Sequence, residues 1–321
     1  MSSAVAARVQ APSRDTASLQ GGRDGVSRSF IVIGVQIFLS RATVGWRLQL
    51  SAALLVVALL GAGLRAQDGG GEVRRQRFDE ILDANVRDGL VYYRALKSER
   101  GRLDEYIASL ASIRLDTASP QEQVAFWLNS YNAVVLRTVI DHYPIQPGTK
   151  DYPANSIRQI PGAFERQTHK LAGRTLTLDQ IEQTVLPTFH DPRLFLALGR
   201  GAVGSGRLRS EAYAPAQLEQ QLAQDGAECA SRGQCVRVDV EQNVMHVSSI
   251  FSWRRAEFSD AYAEKAANIF EGRSLVERAV LAFIAPQVLA AERDFLKKNA
   301  FSMEYLPFDW TLNDLTDRGG R

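Results

Sequence analysis

Between residues 120 and 143 apolar side chains return every three or four positions. Val124, Trp127, Leu128, Tyr131, Val134, Val135 and Val139 form a broad stripe at the helical period. Ser119 followed by Pro120 supplies a cap and a first-turn residue, and Pro144 supplies a stop, so the pattern predicts a long core helix. A shorter stripe (Leu103, Tyr106, Ile107, Leu110) predicts a helix with Ser98 as its cap. Thr177 and Gln180 form a capping-box pair before "IEQTVL". "CVRVDVEQNVMHV" alternates on either side of Glu241-Gln242-Asn243 and predicts a hairpin.

"GLVYYRAL" at 89–96 reads as extended, and the apolar run Leu194 to Leu198 as strand-like. A helix is expected near Pro215 and more helices over 259–298, before the aromatic close "YLPFDWTLND". Short strands lie between helices without regular βαβ alternation. The predicted fold is α+β: a single mixed domain with a long central core helix, short strands and a C-terminal helical segment.

Charge divides the chain. Residues 1–66 carry seven Arg against Asp15 and Asp24, a net of +5, whereas the whole chain is +2, leaving −3 for residues 67–321. The body therefore has no basic bias that would favour nucleic acid. Trp46-Arg47 precede the apolar stretch 48–63, and Leu64-Arg65-Ala66 follow it, the parts of a secretory signal cleaved after Ala66 or of a retained membrane anchor. The expected organisation is an N-terminal extension at 1–43, disordered or from an over-extended reading frame, then signal or anchor at 44–66. A linker at 67–77, one domain at 78–315 and a tail at 316–321 complete it. The chain is expected to be exported, periplasmic or extracellular, or anchored through 48–63.

Cys229 and Cys235 are the two cysteines, and in an exported chain so close a pair suggests a small disulfide loop, with free thiols as the alternative. A zinc site would need two further ligands that His246 alone does not supply, so neither metal nor cofactor is expected.

Gly199-Arg200-Gly201-Ala202-Val203-Gly204 spells the dinucleotide pattern G-x-G-x-x-G. That loop works only when a helix opens on its third glycine and aims its N–H groups at a pyrophosphate. Here "SGRLRSEAYAP" intervenes, and no Gly-Lys-Ser/Thr completes a P-loop. Nucleotide binding is excluded as the reading of this loop.

"EQVAFWLNSYNAVVLRTVIDHYP", "LTLDQIE", "DPRLFLAL", "LRSEAY", "SSIFSW" and "YLPFDWTLN" stand in the order seen in the DUF547 family, which the chain resembles over residues 78–313. In that family's pattern the segment after Asp-Pro-Arg reads Ile-His-Phe-Ala-Leu and then Asn-Cys-Ala-Ser-x-Ser-Cys-Pro-x-Leu. Laid on this chain, the histidine falls at Phe195, the first cysteine at Arg200 and the second at Ser205. The histidine of an Ile-Glu-His triplet falls at Gln183. Gln123, Asn129, Tyr131 and Asn132 on the long helix match the pattern, as do Glu182, Arg193 and Arg209.

The resemblance implies a thiol–imidazole hypothesis for ordinary members, because a thiolate beside a base attacks acyl carbon. This chain lacks those groups. Ser205 stands in a cysteine position but needs a strong base, and His142 and His169 are the weak candidates. His190 reads as loop and His246 as a strand residue. The helix amides bind loop backbone or line a cleft, and the charged residues form internal ion pairs, unless an arginine by the glycine loop holds a carboxylate ligand. Three functions follow. One is a catalytically degenerate domain binding a peptide, glycan or envelope component; the second is an acyl-transfer or hydrolytic enzyme using Ser205; the third is a structural envelope protein.

Overall fold

The computed structural model describes residues 70–316 except Ala267, all within one compact unit, Leu60–Arg321. The expected extension, signal or anchor, and all of the tail but Thr316 fall outside the described residues.

Helix α1 covers 70–85, so the stretch read as linker is helical from residue 70. Phe78, Ile81 and Leu82 explain this, since they bury one helical face in the core. A two-residue ladder, β1 (Val86–Arg87) with β2 (Leu90–Val91), turns the chain into α2 (Tyr93–Ser98). The extended reading of 89–96 thus holds only for its start. Tyr93 and Leu96, three apart, are both buried, which is a helical spacing in a run too short to show its period. Ser98 ends α2 and its hydroxyl donates to Ala95 O; the residue before α3 (Gly101–Leu110) is Arg100, so Ser98 is not that helix's cap.

Helix α4 runs Pro120–His142 with Ser119 as the expected cap, here in a capping box with Glu122, and its middle from Leu128 to Leu136 is buried on every face. It is the central core helix. A hairpin of β3 (Thr168–Leu171) and β4 (Arg174–Thr177) follows. The Thr177–Gln180 box then opens α5 (Leu178–Gln180), which continues as a π-helical turn, Ile181–Val185. The apolar run expected as a strand is instead a 3₁₀ turn, Pro192–Phe195, leading into an irregular loop. Asp191 caps that turn through Arg193 N–H and Pro192 fixes its first φ, so local capping overrides the apolar pattern.

Beyond the glycine loop, a 3₁₀ turn at Pro215–Gln217 enters α6 (Leu218–Ser231). Cys229 at the end of α6 is disulfide-bonded to Cys235, just before β5 (Val236–Asp239). Strand β5 pairs antiparallel with β6 (Val244–Ser248), the predicted hairpin, and β7 (Ser302–Leu306) adds a parallel strand to β6. Between β6 and β7 lie α7 (Ser249–Trp253), α8 (Arg255–Tyr262), α9 (Leu275–Ile284) and α10 (Ala290–Lys297). Ten helices and three small sheets among the described residues make the α+β domain that the sequence predicts. No helix among them is long and apolar enough to cross a membrane.

Candidate functional site

The glycine loop is a packing device. A Cβ on Gly206 would stand 1.6 Å from Leu196 O, and one on Gly204 would stand 2.7 Å from Asp309 N. Gly201 adopts a φ of +65°, which side chains rarely tolerate. Val203 and Gly204 donate their N–H groups to Thr311 O and Asp309 O, so the loop is laced to the C-terminal aromatic segment. The N–H groups of Gly199, Arg200, Val203, Gly204 and Ser205 are all bonded to protein oxygens.

This tight path carries Arg200 into the interior, where its side chain is 2% exposed. Its guanidinium grips Glu182 from two sides, Nε to Oε2 at 3.1 Å and Nη2 to Oε1 at 2.7 Å, and Nη1 donates to Phe195 O at 3.2 Å. Arg254, between α7 and α8, reaches the same carboxylate with Nη2 at 2.8 Å and bonds Gln183 Oε1 through Nη1 at 2.9 Å. Its guanidinium carbon lies 4.1 Å from the centroid of the Phe195 ring, a cation–π contact. Tyr131 on α4 completes the cluster, its hydroxyl donating to Glu182 Oε2 at 3.1 Å.

Burial alone would push the Glu182 carboxyl up; Arg200 and Arg254 together outweigh it and hold the pKa at about 2. The Tyr131 phenol is raised well above its ordinary value, first by burial and then by the Glu182 charge. At neutral pH the cluster is therefore a fully ionised carboxylate clamped by two guanidinium groups and one neutral phenol. No member is poised to exchange a proton.

Ser205 is buried beside this cluster. Its Oγ accepts the Arg200 backbone N–H at 3.0 Å. The cavity it borders measures about 20 Å³, room for about one water. The four histidines are engaged elsewhere. His142, exposed at the end of α4, donates through Nδ1 to Thr138 O, and His190 sits at the end of a 3₁₀ turn with φ of 55°. His246 on β6 lies 3.8 Å from Glu304 on β7. His169 on β3 is buried, and its Nδ1 accepts from Arg137 Nη2 at 3.3 Å. Burial, with Arg137 adding to it, lowers the His169 pKa to about 4. Neither sequence candidate for a base, His142 or His169, is brought to Ser205.

The remaining motif residues are structural in what they touch. Asn129 exchanges two hydrogen bonds with the Tyr213 backbone, at 2.9 and 2.8 Å, and also borders a groove described below. Asn132 donates to Ala197 O and accepts from Gly199 N–H, fixing the entry to the glycine loop. Gln123 donates to Ala118 O. Arg193 pairs with Asp191 and Glu219, and Arg209 with Glu211 and Asp225. Asp225 also accepts from Tyr213 Oη at 2.7 Å; burial raises its carboxyl to about 6.

Residues 115–228, from the turn before α4 to the last part of α6, match the family model DUF547, whose description is a protein of unknown function. That segment is similar to DUF547. The match is narrower than the 78–313 over which the motifs run. Comparison with curated proteins and with solved structures gives no match.

The four positions that align with thiol or imidazole in the DUF547 pattern the chain resembles, Gln183, Phe195, Arg200 and Ser205, converge. Gln183 and Phe195 both contact Arg254, Arg200 contacts Phe195 O and Glu182, and Ser205 contacts Arg200. Arg254 had no signal in the sequence. It follows "SSIFSW" directly, and only the tertiary fold brings it to a carboxylate 72 residues earlier in the chain.

Proposed function

We propose that this DUF547 protein is an exported, catalytically degenerate domain that acts by binding. The observation that carries this reading is the occupied cluster. Where the family pattern carries a thiol there is a guanidinium closed onto Glu182, and where it carries imidazoles there are a phenyl ring and an amide stacked on or bonded to Arg254. A guanidinium has no lone pair to offer at working pH, and Ser205 Oγ accepts the Arg200 amide N–H with no imidazole or carboxylate hydrogen-bonded to it among the described residues. The basic leader with its apolar core and Ala66 exit supports export.

One mass measurement reads both parts. The protein is recovered from cells, treated folded with a serine-directed fluorophosphonate and weighed intact. The expected mass is that of a chain beginning at Gln67 with no phosphonyl adduct. An adduct mapped to Ser205 would overturn the degenerate reading, and an unprocessed chain beginning at Met1 would overturn cleavage.

A further inference from the structure

A groove of about 940 Å³ opens between α1, α3 and the start of α4, on residues that the cluster around Glu182 does not use. Its size falls in the range of small-molecule sites. Tyr106 and Leu110 of α3 form its floor with Tyr213, and the partly exposed Leu115 and Phe126 form its walls. Such a surface suits an apolar body with few hydrogen-bonding groups.

The charges at the rim are unequal in their partners. Arg75 is held by Glu72 and Asp79, Arg114 by Asp116, and Glu122 by the Ser119 cap. Arg74, half-buried on α1, has neither a carboxylate nor a hydrogen-bond partner among the described residues, and burial lowers its pKa. A guanidinium drawn partly out of water without an anion is costly, and a ligand carboxylate would complete its two-pronged donor geometry. One guanidinium balances one negative charge, which fits a carboxylate better than a phosphate monoester carrying close to two.

We propose that this groove binds a long-chain fatty acid, its carboxylate on Arg74 and its alkyl chain along Phe126, Leu115 and Tyr106. The proposal rests on the binding reading above and names the ligand class.

The test uses the full chain and the fluorescent fatty acid cis-parinaric acid, displaced by palmitate or by uncharged hexadecanol. Saturable one-to-one binding is expected, with palmitate displacing the probe about tenfold better than hexadecanol, the size of one charge-assisted hydrogen bond. Arg74→Gln removes that preference while leaving hexadecanol unchanged. Ser112→Trp, which fills the mouth from an exposed position, abolishes displacement by both, and Arg102→Gln, exposed on α3 outside the groove, changes neither. Absence of saturable binding, or an Arg74→Gln protein that keeps the preference for palmitate, overturns the assignment. If fatty acid fails to bind while Ser205 stays unlabelled, the ligand class is wrong and the degenerate reading stands. Labelling of Ser205 sinks that reading whether or not fatty acid binds.

Discussion

At position 200 a buried guanidinium acts as an internal tie. Each of its three nitrogens needs an acceptor once water is gone, and Glu182 and Phe195 O supply them. The pattern of substitution is consistent at the scale of single side chains. Phenylalanine at 195 and glutamine at 183 give the second cation, Arg254, a ring to lie on and a carbonyl to bond. His169 shows the other fate of a titratable group. Its Nε2 is buried without a partner and its pKa is depressed from 6.5 to about 4, so folding favours the neutral ring. That stability is fully present above pH 6.5 and is lost as pH falls through 4. In His169→Gln, denaturation midpoints measured from pH 7 to pH 4 should fall less steeply than in the wild type. An identical slope in both would show that His169 does not titrate as described.

Among elements, the glycine loop and the π-helical turn do the positioning. The π-helical turn sets Glu182 inward, and the loop approaches it only because Gly204 and Gly206 let backbone meet backbone. Gly206→Ala is expected to cost about 3 kcal/mol or more, because its Cβ would sit inside the Leu196 carbonyl and no flexible side chain can give way. Urea denaturation reads this directly; a loss within about 0.5 kcal/mol, the usual range for surface changes, would mean that the loop is not so closely packed.

The same elements mark what a sequence can and cannot declare. Helix α4 was legible because its stripe is long and both ends are signalled by Ser119-Pro120 and Pro144, and the β5–β6 hairpin because its alternation is clean. Helix α2 and the 3₁₀ turn at 192–195 were not, since runs of four to six residues satisfy strand and helix periods alike. Asn129 and Asn132 could be placed on one face of α4, yet their partners lie more than 60 residues onward and depend on the completed fold.

For the whole molecule, the described residues separate two features that a catalytic member would combine. The motif cluster is closed, with a cavity of about 20 Å³ beside Ser205, whereas the open groove of about 940 Å³ lies on other walls around Arg74. Asn129 and Tyr213 bond each other and line the groove. The account makes the Glu182–Arg200–Arg254 cluster a source of stability. Catalytic carboxylates and cations commonly cost stability, so that replacing them leaves a protein as stable or more so.

A double-mutant cycle on Glu182 and Arg200 decides between these. Glu182→Gln and Arg200→Met are each expected to destabilise by about 3–5 kcal/mol, because each leaves a buried charge without its main partner. The double variant is expected to lose clearly less than the sum of the two. Single variants as stable as the wild type, or losses that simply add, would contradict the claim that this cluster serves as structure.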